Sequence, residues 1–100
     1  MRIDHDGWQI TVCDDLFIKQ MVLEKTGIEV PQHVHKYNHA TLLTLGMVRI
    51  WRDGELWGDF RAPHILEIQA GIAHRFVSLT PAVLYCIHNV ARTGEVELKG

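Results

Sequence analysis

The sequence predicts an all-β domain whose short strands close into a jelly-roll-like double sheet or barrel. Two observations lead there. Apolar residues fall in short runs cut by turn residues, and no long segment carries apolar positions at helical spacing, a heptad or a fixed repeat. Closure follows because a set of short strands joined by tight turns leaves unpaired edges unless the sheet doubles or closes on itself.

In chain order the expected strands are Trp8 to Val12, Leu16 to Glu24, Ala40 to Leu45, Met47 to Arg52, Glu55 to Phe60, His64 to Ile68, His74 to Leu79 and Val83 to Val90. Between them stand the turn pairs Asp14-Asp15, Thr26-Gly27, Asp53-Gly54, Ala70-Gly71 and Thr80-Pro81. Asp53-Gly54 is the clearest, since both residues tolerate the positive φ of a two-residue hairpin; it pairs Arg52 with Glu55 and Trp51 with Leu56. At 100 residues, a second core would leave each half too small to bury enough surface, so residues 1–100 are read as one domain with its core at about 14–90.

Hydrophobic residues make up 47% and charged residues 22%, which sets disordered and fibrous classes aside. Ten Lys and Arg stand against twelve Asp and Glu with no basic stripe, which argues against a nucleic-acid partner. No run reaches the roughly 18 apolar residues of a membrane span, and MRIDHDGWQI lacks the basic and apolar parts of a signal peptide. Cys13 and Cys86 form no CxxC pattern. A cytoplasmic protein with reduced thiols is the expectation.

Seven histidines are the compositional exception. In GIEVPQHVHKYNHATLLTLG, His33, His35 and His39 share odd parity, so an extended chain presents them on one face. Composition alone yields such an H-x-H-x3-H triple in only about 3 chains of 100. Converging neutral imidazoles suit Fe, Mn, Ni, Cu or Zn far better than Mg or Ca. His74 opens a later strand that a barrel brings back beside the first. The competing reading is a set of polar or core histidines without metal.

These residues resemble the cupin family. Its first motif, G-x5-H-x-H-x3-E-x6-G, is matched at every spacing by Gly27, His33, His35, His39 and Gly46, with His39 in place of the glutamate. Its second, G-x5-P-x-G-x2-H-x3-N, keeps Gly71 and His74, while Pro63, Gln69 and Ser78 occupy its first glycine, its proline and its asparagine. The resemblance spans about residues 14–90. It implies a double-stranded β-helix, one divalent transition metal, and His33, His35, His39 and His74 as ligands, as in the four-histidine branch of small cupins. Four neutral ligands would leave the dipositive charge of the metal uncancelled, and no glutamate would be at hand as a base.

Tyr37 could share the imidazole face or pack at an edge, and Thr41, Leu43 and Leu45 continue that face as an apolar wall. Aligned by the family pattern, Leu84, Cys86 and His88 turn inward. Tyr37, Thr41, Leu43, Cys86 and His88 are then the expected substrate pocket, with Tyr37 and His88 the candidates for proton transfer. The bland alternatives are a solvent-touching His88 and a space-filling Cys86. His5 and His64 are expected in solvent. Val83, Tyr85 and Ile87 face outward and, with Trp8 or Trp51, offer an apolar patch for a homodimer.

Three functions stay open: a metal-dependent oxidoreductase of dioxygenase type, a redox-neutral isomerase or lyase, and a non-catalytic module that binds a small ligand. Oxygen consumption, turnover under nitrogen, or neither, tells them apart.

Overall fold

Alternation of apolar and polar side chains gives the chain its strands, which in the computed structural model pair into two antiparallel sheets; residues 2–5 and 8–90 are described. The elements in order are β1 (Arg2–His5), β2 (Trp8–Cys13), β3 (Leu16–Leu23), β4 (Glu29–His33), β5 (His39–Leu45), β6 (Met47–Arg52), β7 (Glu55–Arg61), β8 (His64–Ile68), β9 (His74–Ser78) and β10 (Ala82–Asn89). One sheet runs β1-β2-β3-β10-β5-β8 and the other β4-β9-β6-β7. No helix among the described residues is long and apolar enough to cross a membrane.

All eight expected strands are present, and Met47–Arg52 and His64–Ile68 match end to end. Two others, β1 and β4, were not expected. β4 carries Pro31, which has no N–H to donate and so argues against a central strand; β4 lies at a sheet edge and its register breaks between Val30 and His33. The Asp53-Gly54 hairpin forms as read, with φ of 49° and 81°, and joins Trp51 to Leu56 and Arg52 to Glu55.

Burial follows the period of two. On β3, Phe17, Met21 and Leu23 are buried while Leu16 and Val22 are exposed, and on β10 Ala82, Leu84 and His88 are buried. Leu43, Val48, Ile50, Leu66, Phe76 and Leu84 from both sheets meet in the core. Truncating one such side chain to alanine costs about 2–5 kcal/mol.

Leu45 departs from its expected inward position and is 54% exposed. The cause is the register shift beside it: Leu84 stands opposite Leu43, but Val83 stands opposite Leu45, so the extra residue moves Leu45 to the outer phase. Trp8 and Trp51 likewise do not join Val83, Tyr85 and Ile87. Trp8 packs against the core from β2, and Trp51 lies on the other sheet under the Arg75 guanidinium, 4.0 Å from its ring centroid.

Gly46 is irreplaceable for two reasons. Its φ is +83°, and a Cβ there would overlap the Pro81 carbonyl oxygen while meeting Thr80 Oγ1 at 2.8 Å.

Candidate metal centre and pocket

His39 opens β5 and points inward, as the alternation of that strand requires, and is buried. His35 reaches it by a different route from the one expected. Residues 34–38 are a loop, so His35 and His39 do not share the face of one extended strand; the loop turns back and brings the rings together edge to face, centroids 4.8 Å apart. Val34, between His33 and His35, is exposed. Nδ1 of His35 and Nδ1 of His39 are both closed off from solvent.

His74 is 1% exposed and stands opposite His33 in the β4–β9 ladder. Its Nδ1 lies 2.9 Å from the Ile72 carbonyl, which can only accept, so in the neutral ring Nδ1 carries the proton and Nε2 the lone pair. A backbone carbonyl that fixes the ring in this way is the usual support of a ligating histidine. The side chain of His33 lies outside the described residues. Among the described residues, no three His, Cys, Asp or Glu side chains form a cluster able to hold a metal ion. What the structure brings together is a pair, His35 and His39, while His74 is held through its Nδ1 on the strand next to that of His33.

Backbone bonds tie the two halves of this arrangement. The Gly71 amide donates to the His35 carbonyl at 3.0 Å, and the Ala70 amide to Asn38 Oδ1 at 2.7 Å. The β6–β7 tip holds the residue before His74: Asp53 N donates to the Ala73 carbonyl at 2.8 Å, and Ala73 N to Asp53 Oδ1 at 2.9 Å. Ser78, standing at the second motif's asparagine, anchors the start of the first motif. Its Oγ donates to the Lys25 carbonyl at 2.7 Å and accepts from Ile28 N at 2.9 Å, while Gly27 N donates to the Ser78 carbonyl at 2.7 Å.

A small pocket, partly open to solvent, lies beside the imidazoles. His35, His39, Thr41, Cys86 and His88 line it, and Thr41 Oγ1 lies 3.5 Å from Cys86 Sγ. Leu43, expected in the pocket, instead belongs to the core, and Leu45 is outside for the reason given above. The Tyr37 ring lies 5.1 Å from that of His35 and 4.5 Å from that of His88, with its hydroxyl 3.4 Å from His88 Nε2, but Tyr37, also expected in the pocket, is not among the residues that line it, because it sits in the 34–38 loop and not on an extended strand. His88 is buried, stacked on Phe17 at 4.6 Å, rather than left in solvent. His64 is exposed, and the side chain of His5 lies outside the described residues.

β3 contributes three pocket residues that the sequence reading passed over, Phe17, Lys19 and Met21. The signal was present, because in Leu16-Phe-Ile-Lys-Gln-Met-Val-Leu the lysine falls in phase with Phe17, Met21 and Leu23. Lys19 is 3% exposed, its Nζ 4.9 Å from the Trp8 ring centroid.

No family model matches the sequence, and no curated protein does. Solved structures do. The chain is similar to an RmlC-like cupin from Shewanella frigidimarina (19% identity, TM-score 0.72, covering 96% of this chain and 88% of that one). It is also similar to KdgF from Halomonas (17% identity, TM-score 0.69, 87% and 83%) and to the Cnp3 cupin domain of Schizosaccharomyces pombe (11% identity, TM-score 0.68, 94% and 76%). At these identities the likeness is one of fold.

Proposed function

We propose, from the premise that this chain is a small cupin in fold, that it binds one divalent transition metal through His33, His35, His39 and His74 and acts on a small molecule in the adjoining pocket. The observation that carries this reading is the edge-to-face pair of His35 and His39 on the pocket wall, with His74 fixed by the Ile72 carbonyl so that Nε2 bears the lone pair. An all-imidazole donor set suits Fe, Mn, Ni, Cu or Zn. When bound, a redox-active ion of this group would supply the one-electron chemistry of a dioxygenase-like oxidoreductase.

The chain's own residues support that use in three ways. Phe17, Val30, Ile68 and Phe76 give the pocket apolar walls that limit water, Thr41 and Cys86 offer polar contacts for orienting a substrate, and His88 with Tyr37 can hold or move a proton. The Tyr37–His88 pair also favours a second reading, a redox-neutral isomerase or lyase, because it supplies an acid–base couple where the family's glutamate is replaced.

The test is metal analysis of protein purified without a histidine tag, together with oxygen uptake. One equivalent of metal is expected in the unaltered chain and less than a tenth of that in His33→Ala and His74→Ala. Oxygen uptake that a chelator abolishes and one metal restores supports the oxidoreductase; turnover under nitrogen supports the second reading; equal metal in all three proteins removes both.

A homodimer belongs to the same proposal. Ile18, Leu42, Ile65, Tyr85 and Ile87 carry the apolar outer face of the larger sheet, Ile65 at 72% exposure. A cytoplasmic site of action is consistent with Cys13 and Cys86 both being free thiols.

A further inference from the structure

Asp-Gly occurs twice in the sequence, at residues 6–7 and 53–54. The first pair lies outside the described residues, and the second forms the exposed tip between β6 and β7. Such a pair is chemically unstable. The glycine has no side chain to shield its backbone nitrogen, so that nitrogen can attack the aspartate carboxyl and close a five-membered imide. At this tip the approach is open, since a Cβ on Gly54 would meet no atom within 4 Å.

What opposes closure is the placement of the carboxylate. Asp53 Oδ1 accepts from the Ala73 amide at 2.9 Å, and the Asp53 amide donates to the Ala73 carbonyl at 2.8 Å. Ala73 is buried and Asp53 exposed, so two bonds to one interior residue fix both the backbone and the side chain of a surface residue. While both bonds last, the carboxyl is not free to swing toward Gly54 N. Bonds carried by an exposed turn open by local fluctuation, without unfolding of the sheets behind them.

We propose that Asp53 is a site of spontaneous conversion to isoaspartate, and that release of its two bonds to Ala73 is the step that admits the reaction. In the released turn Gly54 N bonds to Asp53 Cγ, the Cγ–O bond breaks, and the oxygen leaves as water with the carboxyl and amide protons. Water then adds to the original main-chain carbonyl carbon of Asp53, and the bond from that carbon to Gly54 N breaks. The chain now runs through Cβ and Cγ, one atom longer, with the free carboxylate directly on Cα. No electrons are gained or lost, and the mass is unchanged. A carboxylate so placed does not reach the Ala73 amide as before, so the two bonds do not re-form.

The experiment uses the whole chain, chelator-treated so that its outcome does not depend on metal, and kept at neutral pH either folded or unfolded in guanidinium chloride. Isoaspartate is located in digests by enzymatic methylation with an isoaspartate-specific methyltransferase and by the elution shift of the peptide that carries residue 53. Exchange of the Ala73 amide, followed by NMR on the folded chain, measures how often its bond is open. In the unfolded chain residues 6 and 53 should both convert, the first serving as the control for the assay. In the folded chain residue 53 should convert at least about tenfold more slowly, and by the factor that protects the Ala73 amide to within about threefold. Incubation lasts until that factor predicts conversion of about a tenth of the chains. In the converted chain, once purified, the Ala73 amide should exchange at least about tenfold faster. Absence of conversion at residue 53 in either state, a slowing outside the expected range, or unchanged Ala73 exchange after conversion would each overturn the proposal.

Discussion

The amide of Gly71 donates to the carbonyl of His35 across 3.0 Å, joining the loop that carries one imidazole to the turn that leads into the strand of another. Gly71 has φ +78°, and a Cβ there would meet nothing within 4 Å. Gly71→Ala therefore meets only backbone strain and should destabilise the fold by about 1–2 kcal/mol in urea unfolding. Gly71→Pro removes the donor and, with its φ locked at about −65°, also cannot take up this backbone, so it breaks the turn as well as the bond. Metal affinity should fall at least about tenfold in the proline variant and stay near normal in the alanine one. Equal affinity in the two would mean the bond does not position His35.

Metal binding should depend on pH in a direction set by the donors. An imidazole must be neutral to coordinate, so affinity should be full above the ordinary histidine pKa of about 6.5 and fall as the pH drops through it, more steeply the more imidazoles take part. Titration with Zn at pH 5, 6, 7 and 8 measures this. A flat profile would point to carboxylate or backbone donors.

Ile65 projects from the outer sheet face with 72% of its surface exposed, so lysine there should act on association and barely on folding. Sedimentation should show a dimer for the unaltered chain and a monomer for Ile65→Lys, with unfolding stability within about 0.5 kcal/mol. A monomeric parent chain, or an unaffected dimer, rejects this face as the interface.

Arg49 and Asp59 form a two-bond pair across β6 and β7, at 2.7 and 2.9 Å, and both are exposed. The hydrogen bond from the Arg49 guanidinium holds the Asp59 carboxyl below its ordinary value, and the same bond raises Arg49. Because the folded-state value of Asp59 is the lower one, the pair contributes fully above the ordinary carboxyl pKa of about 4 and is lost as pH falls through the depressed value. Asp59→Asn should lower the thermal midpoint slightly at pH 7 in dilute buffer, and the difference should vanish in 1 M salt, about which point screening is nearly complete. A difference that persists in salt would mean that packing, and not charge, is what the substitution removes.

The sheet was readable because its information is local. Eight strand runs, the Asp53-Gly54 turn and the inward phase of Thr41 follow from a period of two and from turn chemistry, whereas the inward phase of Leu84, Cys86 and His88 comes from the resemblance to the cupin pattern. Where the chain breaks phase, parity misleads. Leu45 sits beyond a bulge, and His35 sits in a loop that had been counted as extended. Lys19 was overlooked for another reason: its phase was visible, but a charged side chain on a strand is ordinarily assigned to solvent, and only the assembled pocket shows its burial. Ser78 and Asp53 act through contacts between distant parts of the chain, which no local pattern encodes.

Hairpin tips are ordinarily where a domain best tolerates lengthening or drift, since they touch little besides water. The tip at Asp53 is an exception, because its backbone and its carboxylate both clasp Ala73, next to His74. Although it sits at the surface, this turn inherits the intolerance of an interior position, and a peptide spliced there would pull on the segment that aims an imidazole.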